Sequence, residues 1–309
     1  MPQAESSRLL QIRANIERRA LIHARIRAFF RNEGFLEVDT PLFVQTVAPE
    51  RYIEPFSING WFLSTSPELH MKRLLAAGYE KIFQICHCFR KGERGQLHNP
   101  EFTMLEWYRV GASYTELIQD TERLVLSLAS NLCRSHTLRY QGRDIDLELP
   151  WPRVTVPDAF QRSAGWDPFG SLDEQRFDLD LVDKVVPGFA TDRPTVLLDY
   201  PPALASLARV RPSNPPVAER AEIFVGGLEI ANAYSELTDA GEQEQRFRSE
   251  IENLRLQGRH NVPMPHRFLE ALPSLPECGG IAVGVDRLVM LLCDAASVDD
   301  VLLFPWDTV

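Results

Sequence analysis

The sequence predicts an α+β fold in which an antiparallel sheet is flanked by helices. Three observations carry that expectation. Residues 81–89 are mostly apolar and residues 101–108 alternate apolar with polar side chains, with a charged, glycine-containing loop between them; this reads as two antiparallel strands joined by a long hairpin loop. Residues 8–31 and 113–133 repeat their apolar positions at helical spacing. Strand-like runs return on either side of Gly226-Gly227 and after Gly279-Gly280.

Composition bounds what such a fold can be. At 309 residues the chain makes one large domain or two modest ones, with ample material for a core. Hydrophobic content of 44% and charged content of 25% are ordinary for a globular protein. No run of about 18 apolar residues occurs, so no membrane span is expected. Residues 1–7 hold no apolar stretch and do not read as a signal peptide. The five cysteines, Cys86, Cys88, Cys133, Cys278 and Cys293, are odd in number and scattered, which fits a reducing cytoplasm better than a disulfide framework. Cys86 and Cys88 should share a strand face with His87 turned away; with no second pair nearby, the triplet is not read as a metal site. The net charge of −10, with basic residues dispersed apart from Arg18-Arg19 and Arg209-Val210-Arg211, gives no support to extensive nucleic-acid binding.

In chain order, Leu9, Ile12, Ile16, Ala20, Ile26 and Phe30 mark a long amphipathic helix that Gly34 ends. Residues 35–41 read as a short strand stopped by Pro41, and residues 44–52 as loop. A hairpin follows, turning at Asn59-Gly60. Thr65-Ser66-Pro67-Glu68 opens a helix, with Ser66 or Thr65 as cap and Pro67 in the first turn. Glu68 there complements the helix dipole or serves a ligand. Residues 134–220 are broken up by prolines; within them Thr195–Tyr200 reads as a strand and Arg211-Pro-Ser-Asn-Pro-Pro as an exposed turn. Asp239 starts a helix running to about Gly258, and an apolar helix follows Gly284 through Leu292.

Chemistry concentrates in a few of these elements. The loop of residues 90–100 carries Arg90, Lys91, Glu93, Arg94, His98 and Asn99 and is longer than a hairpin needs; it is an anion site with a carboxylate beside it, or a solvated hairpin. On the next strand Phe102, Met104, Glu106 and Tyr108 share one face. A buried Glu106 calls for a cation, either a core arginine or the ammonium of a ligand. Glu222 and Glu229 lie seven residues apart around Gly226-Gly227, and a Gly-Gly bulge would bring both carboxylates to one side, as Mg²⁺ beside phosphates requires. Asn232, Tyr234 and Glu236 alternate on one face, either an exposed strand surface or one strip of a site. Gly284 permits close approach of a ligand, and Arg287 at a helix start calls for an anionic partner.

These stretches resemble a known family. Phe89-Arg90 together with His98-Asn99-Pro100-Glu101-Phe102-Thr103-Met104-Leu105-Glu106-Trp107-Tyr108 is similar to motif 2 of the class II aminoacyl-tRNA synthetases, in their lysyl branch. Residues 222–239 resemble the segment that holds metal and lysine in those enzymes, and residues 280–292 resemble motif 3. The helix of residues 8–31 followed by Gly-Phe-Leu-Glu-Val-Asp-Thr-Pro41 resembles motif 1, the dimer interface of class II enzymes; its other reading is a plain surface helix. The blocks occur in the family's order and cover nearly the whole chain. Within the family the likeness is greatest to the short, free-standing paralogues that attach β-lysine to elongation factor P.

The resemblance implies one class II synthetase-like catalytic domain over residues 1–309, with residues 134–220 as the insertion between motifs 2 and 3. Motif 1 begins almost at the first residue, so no anticodon-binding domain is expected. The implied reaction is that of a ligase: a carboxylate attacks the α-phosphorus of ATP and forms an acyl-adenylate. By resemblance Arg90 holds the α-phosphate and the attacking carboxylate, and Arg287 the γ-phosphate. Phe102 stacks on adenine and Asn99 contacts it, while Glu93, His98, Ile230 and Gly284 complete the ATP site. Glu222 and Glu229 hold Mg²⁺. Ser66, Pro67, Glu68, Glu106, Tyr108, Asn232, Tyr234, Glu236 and Ala282 bind the amino acid, in an acidic, partly aromatic pocket that suits a distal ammonium. The implied partners are (R)-β-lysine, with L-lysine weaker, and elongation factor P, for a cytoplasmic homodimer with no membrane contact and no extensive tRNA binding. The alternatives are a minimal lysyl-tRNA synthetase-like enzyme and a non-catalytic lysine-sensing paralogue; intact Arg90, Phe102, Glu229 and Arg287 argue against the last. Two departures from the family pattern stand out. The usual Arg-x-Glu core reads Arg90-Lys91-Gly92-Glu93, with Gly92 allowing the loop to bend. Ala282 stands where lysyl-tRNA synthetases carry Gly, and its methyl is expected to favour β-lysine over α-lysine.

Overall fold

A computed structural model of the protein describes residues 3–259 and 261–309. Met1 and Pro2, part of the stretch read above for a signal peptide, lie outside the described residues. The chain divides into two compact units, one of residues 1–108, 239–275 and 283–309, the other of residues 109–238 and 276–282.

The first unit opens on α1 (Gln3–Gln11) and α2 (Arg13–Asn32). The single helix expected over residues 8–31 is therefore interrupted, at the buried Ile12, although its N–H still reaches Arg8 O at 3.1 Å. The buried stripe of α2 is Ile22, Ile26 and Phe30. Ala20, assigned to that stripe by spacing, is exposed, while its neighbour Arg19 turns inward to Asp286 at 2.6 Å and to Thr103 Oγ1 at 2.8 Å. Gly34 ends the helix at φ +79°, which a side chain would resist. β1 (Leu36–Glu37) follows, then β2 (Phe43–Val44), β3 (Ser57–Ile58) and β4 (Trp61–Leu63), which form a small sheet in the order β2-β4-β3. Its turn, Asn59-Gly60, has φ of 51° and 79°, as a type I′ hairpin requires. After α3 (Glu68–Ala76) come β5 (Lys81–Phe89) and β6 (Glu101–Val110), in the order β1-β5-β6 with β1 parallel to β5. The β5–β6 hairpin is closed by Arg90 N–H donating to Pro100 O at 2.9 Å. Its outer face packs on α2, where Phe30 lies 4.7 Å from Phe83 and 4.9 Å from Trp107 between ring centroids. That packing leaves the face of Phe102, Met104, Glu106 and Tyr108 for other use.

The second unit holds α4 (Tyr114–Cys133), started by a capping box of Ser113 and Glu116. The stretch that prolines obscure is a folded body: β7 (Thr137–Tyr140), β8 (Arg143–Asp146), β9 (Arg153–Thr155), α5 (Val156–Ser163), α6 (Glu174–Asp180), β10 (Thr195–Tyr200) and β11 (Val210–Arg211). Its core gathers Phe160, Phe177, Leu197 and Tyr200, with Phe160 stacked on Phe177 at 4.4 Å. β12 (Val217–Val225) and β13 (Leu228–Ser235) follow as an antiparallel pair. The chain then supplies α7 (Ala240–Leu256), capped by Asp239, and α8 (His266–Ala271) to the first unit. β14 (Cys278–Gly284) leads into α9 (Val285–Cys293). In the second unit the strand order is β14-β13-β12-β10-β9, with β11 beside β12. Gly279 and Gly280 lie inside β14 rather than before it, because a Cβ on Gly279 would sit 2.4 Å from Leu117 Cδ2 and 2.9 Å from Ser113 O. Glycine there lets β14 lie against the start of α4.

Candidate active site

In the first unit Ser66, Tyr108 and Glu68, which the resemblance assigns to the amino acid, lie around Glu106. Its carboxylate is almost fully buried and accepts two hydroxyl hydrogen bonds, from Ser66 Oγ at 2.6 Å and Tyr108 OH at 2.9 Å. No ion pair to Glu106 is present among the described residues. Burial pushes its pKa up to about 7, the neighbouring Glu68 adds to the rise, and the two hydroxyls and Arg90 oppose it. Ser66 also accepts from Glu68 N–H at 3.0 Å, but the N-cap of α3 is Pro67, whose side chain cannot accept a capping bond; the expected cap at Ser66 or Thr65 with Pro67 inside the first turn is therefore displaced by one residue. Glu68 itself is neutralised by Lys72, whose buried Nζ lies 2.6 Å from Glu68 Oε1. Lys72 was not among the sequence candidates, although the i,i+4 spacing from Glu68 signals the pair. The result is one compensated carboxylate and one that an incoming cation would complete.

The loop between β5 and β6 separates its cations by use. Lys91 is taken by Glu54, and Arg94 by Asp299 at 3.1 Å and Asp307 at 2.7 Å. Among the described residues Arg90 makes a long contact to Glu93 at 3.8 Å, its buried Nε has no hydrogen-bond partner, and it lies over the Phe102 ring at 5.2 Å. Gly92 bends the loop with φ +82°, which is how Glu93, one position later than in the family pattern, still faces Arg90. Arg287 donates to the His98 ring nitrogen and, at 3.4 Å, to Leu97 O. Partial burial and the Arg287 guanidinium hold His98 below the usual imidazole range, which suits its role as an acceptor. Asn99 is engaged at both ends, donating to Glu101 O at 2.7 Å and accepting from Trp306 N–H at 3.0 Å. Gly284 caps α9, and a Cβ there would meet nothing nearer than Arg287 Cδ at 3.9 Å.

In the second unit Gly226 and Gly227 form the tight turn between β12 and β13, with φ of 59° and 83°. The bulge expected at this pair lies instead at Ile230, since Ile223 pairs with Ala231 and Phe224 with Glu229. Its consequence is the expected one. Glu222 is paired with Asn232, and Phe224, two residues on from Glu222, with Glu229, so Glu222, Glu229 and Asn232 share a face. Tyr234 pairs with Arg220 on that same face, and Glu236 N–H is bonded to Cys278 O at 2.9 Å just past the strand. Ala282 is half-buried in β14. Arg220, which the sequence reading missed despite its alternation with Glu222, pairs with Glu222 Oε1 at 2.6 Å and lies over the Tyr200 ring at 4.5 Å. Burial raises the Glu222 pKa; Arg220 opposes the rise and Glu229 adds to it. Asn232 donates to Tyr234 OH at 3.1 Å, while its buried Oδ1 has no partner among the described residues. The two carboxylates fit Mg²⁺, which takes one or two carboxylates plus substrate phosphates and water. No group of three or more His, Cys, Asp or Glu side chains that would hold a metal by themselves occurs among the described residues.

The first unit thus holds Arg90 beside the Phe102 ring and a Glu106 carboxyl with no ion pair among the described residues, and the second holds Glu222, Glu229 and the Asn232 Oδ1 on one strand pair. A family model described as tRNA synthetases class II (D, K and N) matches residues 6–308, and the chain belongs to that family of ligases. Among similar proteins, an elongation factor P–(R)-β-lysine ligase of Salmonella gallinarum (strain 287/91 / NCTC 13346) is 38% identical, over 95% of each chain. One of the same name from Klebsiella pneumoniae (strain 342) is 37% identical, again over 95% of each. A lysine–tRNA ligase of Pelotomaculum thermopropionicum is 34% identical over 96% of this chain, which spans 64% of that protein's length. No helix among the described residues is long and apolar enough to cross a membrane.

Proposed function

We propose that the protein activates (R)-β-lysine with ATP and transfers it to a lysine side chain of elongation factor P. The observation that supports this reading is the buried Glu106, held by two hydroxyls and without an ion pair among the described residues, which the distal ammonium of a lysine would complete. Arg90 draws the amino-acid carboxylate and the α-phosphate together. A carboxylate oxygen attacks the α-phosphorus, the bond to pyrophosphate breaks, and an aminoacyl-adenylate forms. Phe102 offers its ring to adenine and Arg287 its charge to the terminal phosphate. Glu222 and Glu229 would hold Mg²⁺, which supplies charge neutralisation for the phosphates. The neutral amine of the acceptor then attacks the acyl carbon, AMP leaves, and the amine proton passes to solvent as the amide forms. One preorganised positive group of this kind is worth roughly 3 kcal/mol of barrier. The choice of acceptor rests on similarity over 95% of the length of each of the two elongation factor P ligases. A cytoplasmic homodimer built on α2 belongs to the same reading.

The second reading, tRNA charging, draws on the lysine–tRNA ligase likeness. Purified protein with ATP, Mg²⁺, (R)-β-lysine or L-lysine, and either elongation factor P or total tRNA separates the two. A single β-lysyl mass increment on the factor, larger than with L-lysine, is the expected result. Charged tRNA with unmodified factor would overturn it, and absence of any adenylate would point to a sensing paralogue.

A further inference from the structure

Three sulfur atoms meet on the inner face of the β5–β6 hairpin and take no part in the reaction above. Cys86 and Cys88 alternate on β5, and their Sγ atoms are 3.8 Å apart. Met104 brings its Sδ from β6 to 4.0 Å from Cys88 Sγ. Spacing alone reveals the two thiols; the third donor comes from the neighbouring strand. All three side chains are buried, Cys88 completely, and both cysteines are free thiols. His87 is turned away to Glu101 at 3.0 Å, so no imidazole joins the cluster.

The two separations centred on Cys88, 3.8 Å to Cys86 and 4.0 Å to Met104, suit a shared cation. With a metal–sulfur bond of about 2.3 Å, three sulfurs in a trigonal plane stand about 4.0 Å apart. A disulfide would instead need the two Sγ atoms to close to about 2.05 Å across one strand pleat. Thiolate and thioether donors are soft, and such a set selects Cu(I)-like cations over the hard, oxygen-seeking ones. We propose that Cys86, Cys88 and Met104 form a three-sulfur site for a soft monovalent cation of the Cu(I) or Ag(I) class. On binding, each thiol releases its proton to solvent as its sulfur–metal bond forms, and Met104 donates a lone pair. The bound site carries one net negative charge. Arg90 stands two residues beyond Cys88, and Glu106 two beyond Met104, so that charge falls between them along the hairpin.

The test is an anaerobic titration of the reduced, full-length protein with Ag(I), and separately with chelator-buffered Cu(I). It is read by near-ultraviolet thiolate-to-metal absorption and by native mass. A Cys133→Ser/Cys293→Ser background removes the two more accessible thiols. One ion per chain is expected, with affinity lowered about 100-fold by Cys86→Ser or Cys88→Ser and about tenfold by Met104→Leu. Circular dichroism of the variants checks that each is folded, and the near-isosteric Met104→Leu keeps the claim testable if a serine variant does not fold. No ion bound by the background protein, or undiminished affinity in the serine variants or in Met104→Leu, overturns the proposal.

Discussion

Glu106 is the residue on which pH should act most visibly. Its folded-state pKa of about 7 stands above the model-peptide value of 4.5, so folding favours the protonated form. In the ligand-free protein its contribution is whole below pH 4.5 and is lost as pH rises through about 7, by roughly 3 kcal/mol for a shift of this size. Urea midpoints should therefore fall between pH 5 and pH 8, and Glu106→Gln should flatten that dependence. A lysine-type ligand reverses the preference, since its ammonium binds the ionised carboxylate. Affinity should rise with pH up to about 7 and then level, with about one proton released per ligand at pH 6. Calorimetry in buffers of different ionisation heat reads that proton directly; Glu106→Gln should abolish it and weaken binding about 100-fold. Lys72 makes a different prediction. Lys72→Met strands Glu68 as a buried charge and should cost about 3–5 kcal/mol in urea unfolding. The double change Lys72→Met/Glu68→Gln should recover most of the loss, because the penalty lies in the uncompensated partner.

Among the elements, β14 offers the sharpest test of packing. Gly279 stands with main-chain atoms of Ser113 at 2.9 Å and 3.0 Å from where a Cβ would be. Backbone cannot yield as a side-chain tip can, so Gly279→Ala should destabilise by about 2 kcal/mol, visible as a lower Tm, without touching any residue of the candidate site. The elements also show where sequence reasoning reaches and where it stops. Alternation on β6 foretold the shared face of Phe102, Met104, Glu106 and Tyr108, and Asn59-Gly60 and Asp239 announced a turn and a cap, because each is a local rule of backbone or side-chain geometry. The bulge at Ile230 was not legible: nothing in Leu228-Glu229-Ile230-Ala231 marks one residue as extra, and the pairing with β12 decides it. Residues 134–220 hid a core for a related reason. Prolines broke the periodicity within each short element, while Phe160, Phe177 and Tyr200 meet only through tertiary packing. At the site itself the carboxylates and arginines were legible by type and resemblance, but their partition was not. Which of Glu68 and Glu106 is compensated depends on Lys72, and which loop cations are free for an anion depends on Glu54, Asp299 and Asp307.

For the molecule as a whole, the net charge of −10 bears on the choice between the two acceptors. Binding to a nucleic acid draws most of its affinity from phosphate contacts by Lys and Arg and the counterions they release. Here 33 basic residues face 43 acidic ones, and many of the exposed arginines are already paired, as Arg13 with Glu17, Arg248 with Glu244 and Arg255 with Glu252. A polyanion therefore gains little by approaching, and whatever it gains is screened within about 8 Å at physiological salt. A protein acceptor is not subject to that penalty, since its recognition can rest on shape and a few placed contacts. Total tRNA added to the modification assay at 0.15 M salt should accordingly leave the rate on elongation factor P within about twofold of its value without tRNA. Inhibition at micromolar tRNA, strengthening steeply as salt is lowered, would instead reveal a local basic face strong enough to override the bulk charge. That result would return tRNA charging to first place, because the same face would then be available to present an acceptor end to the adenylate.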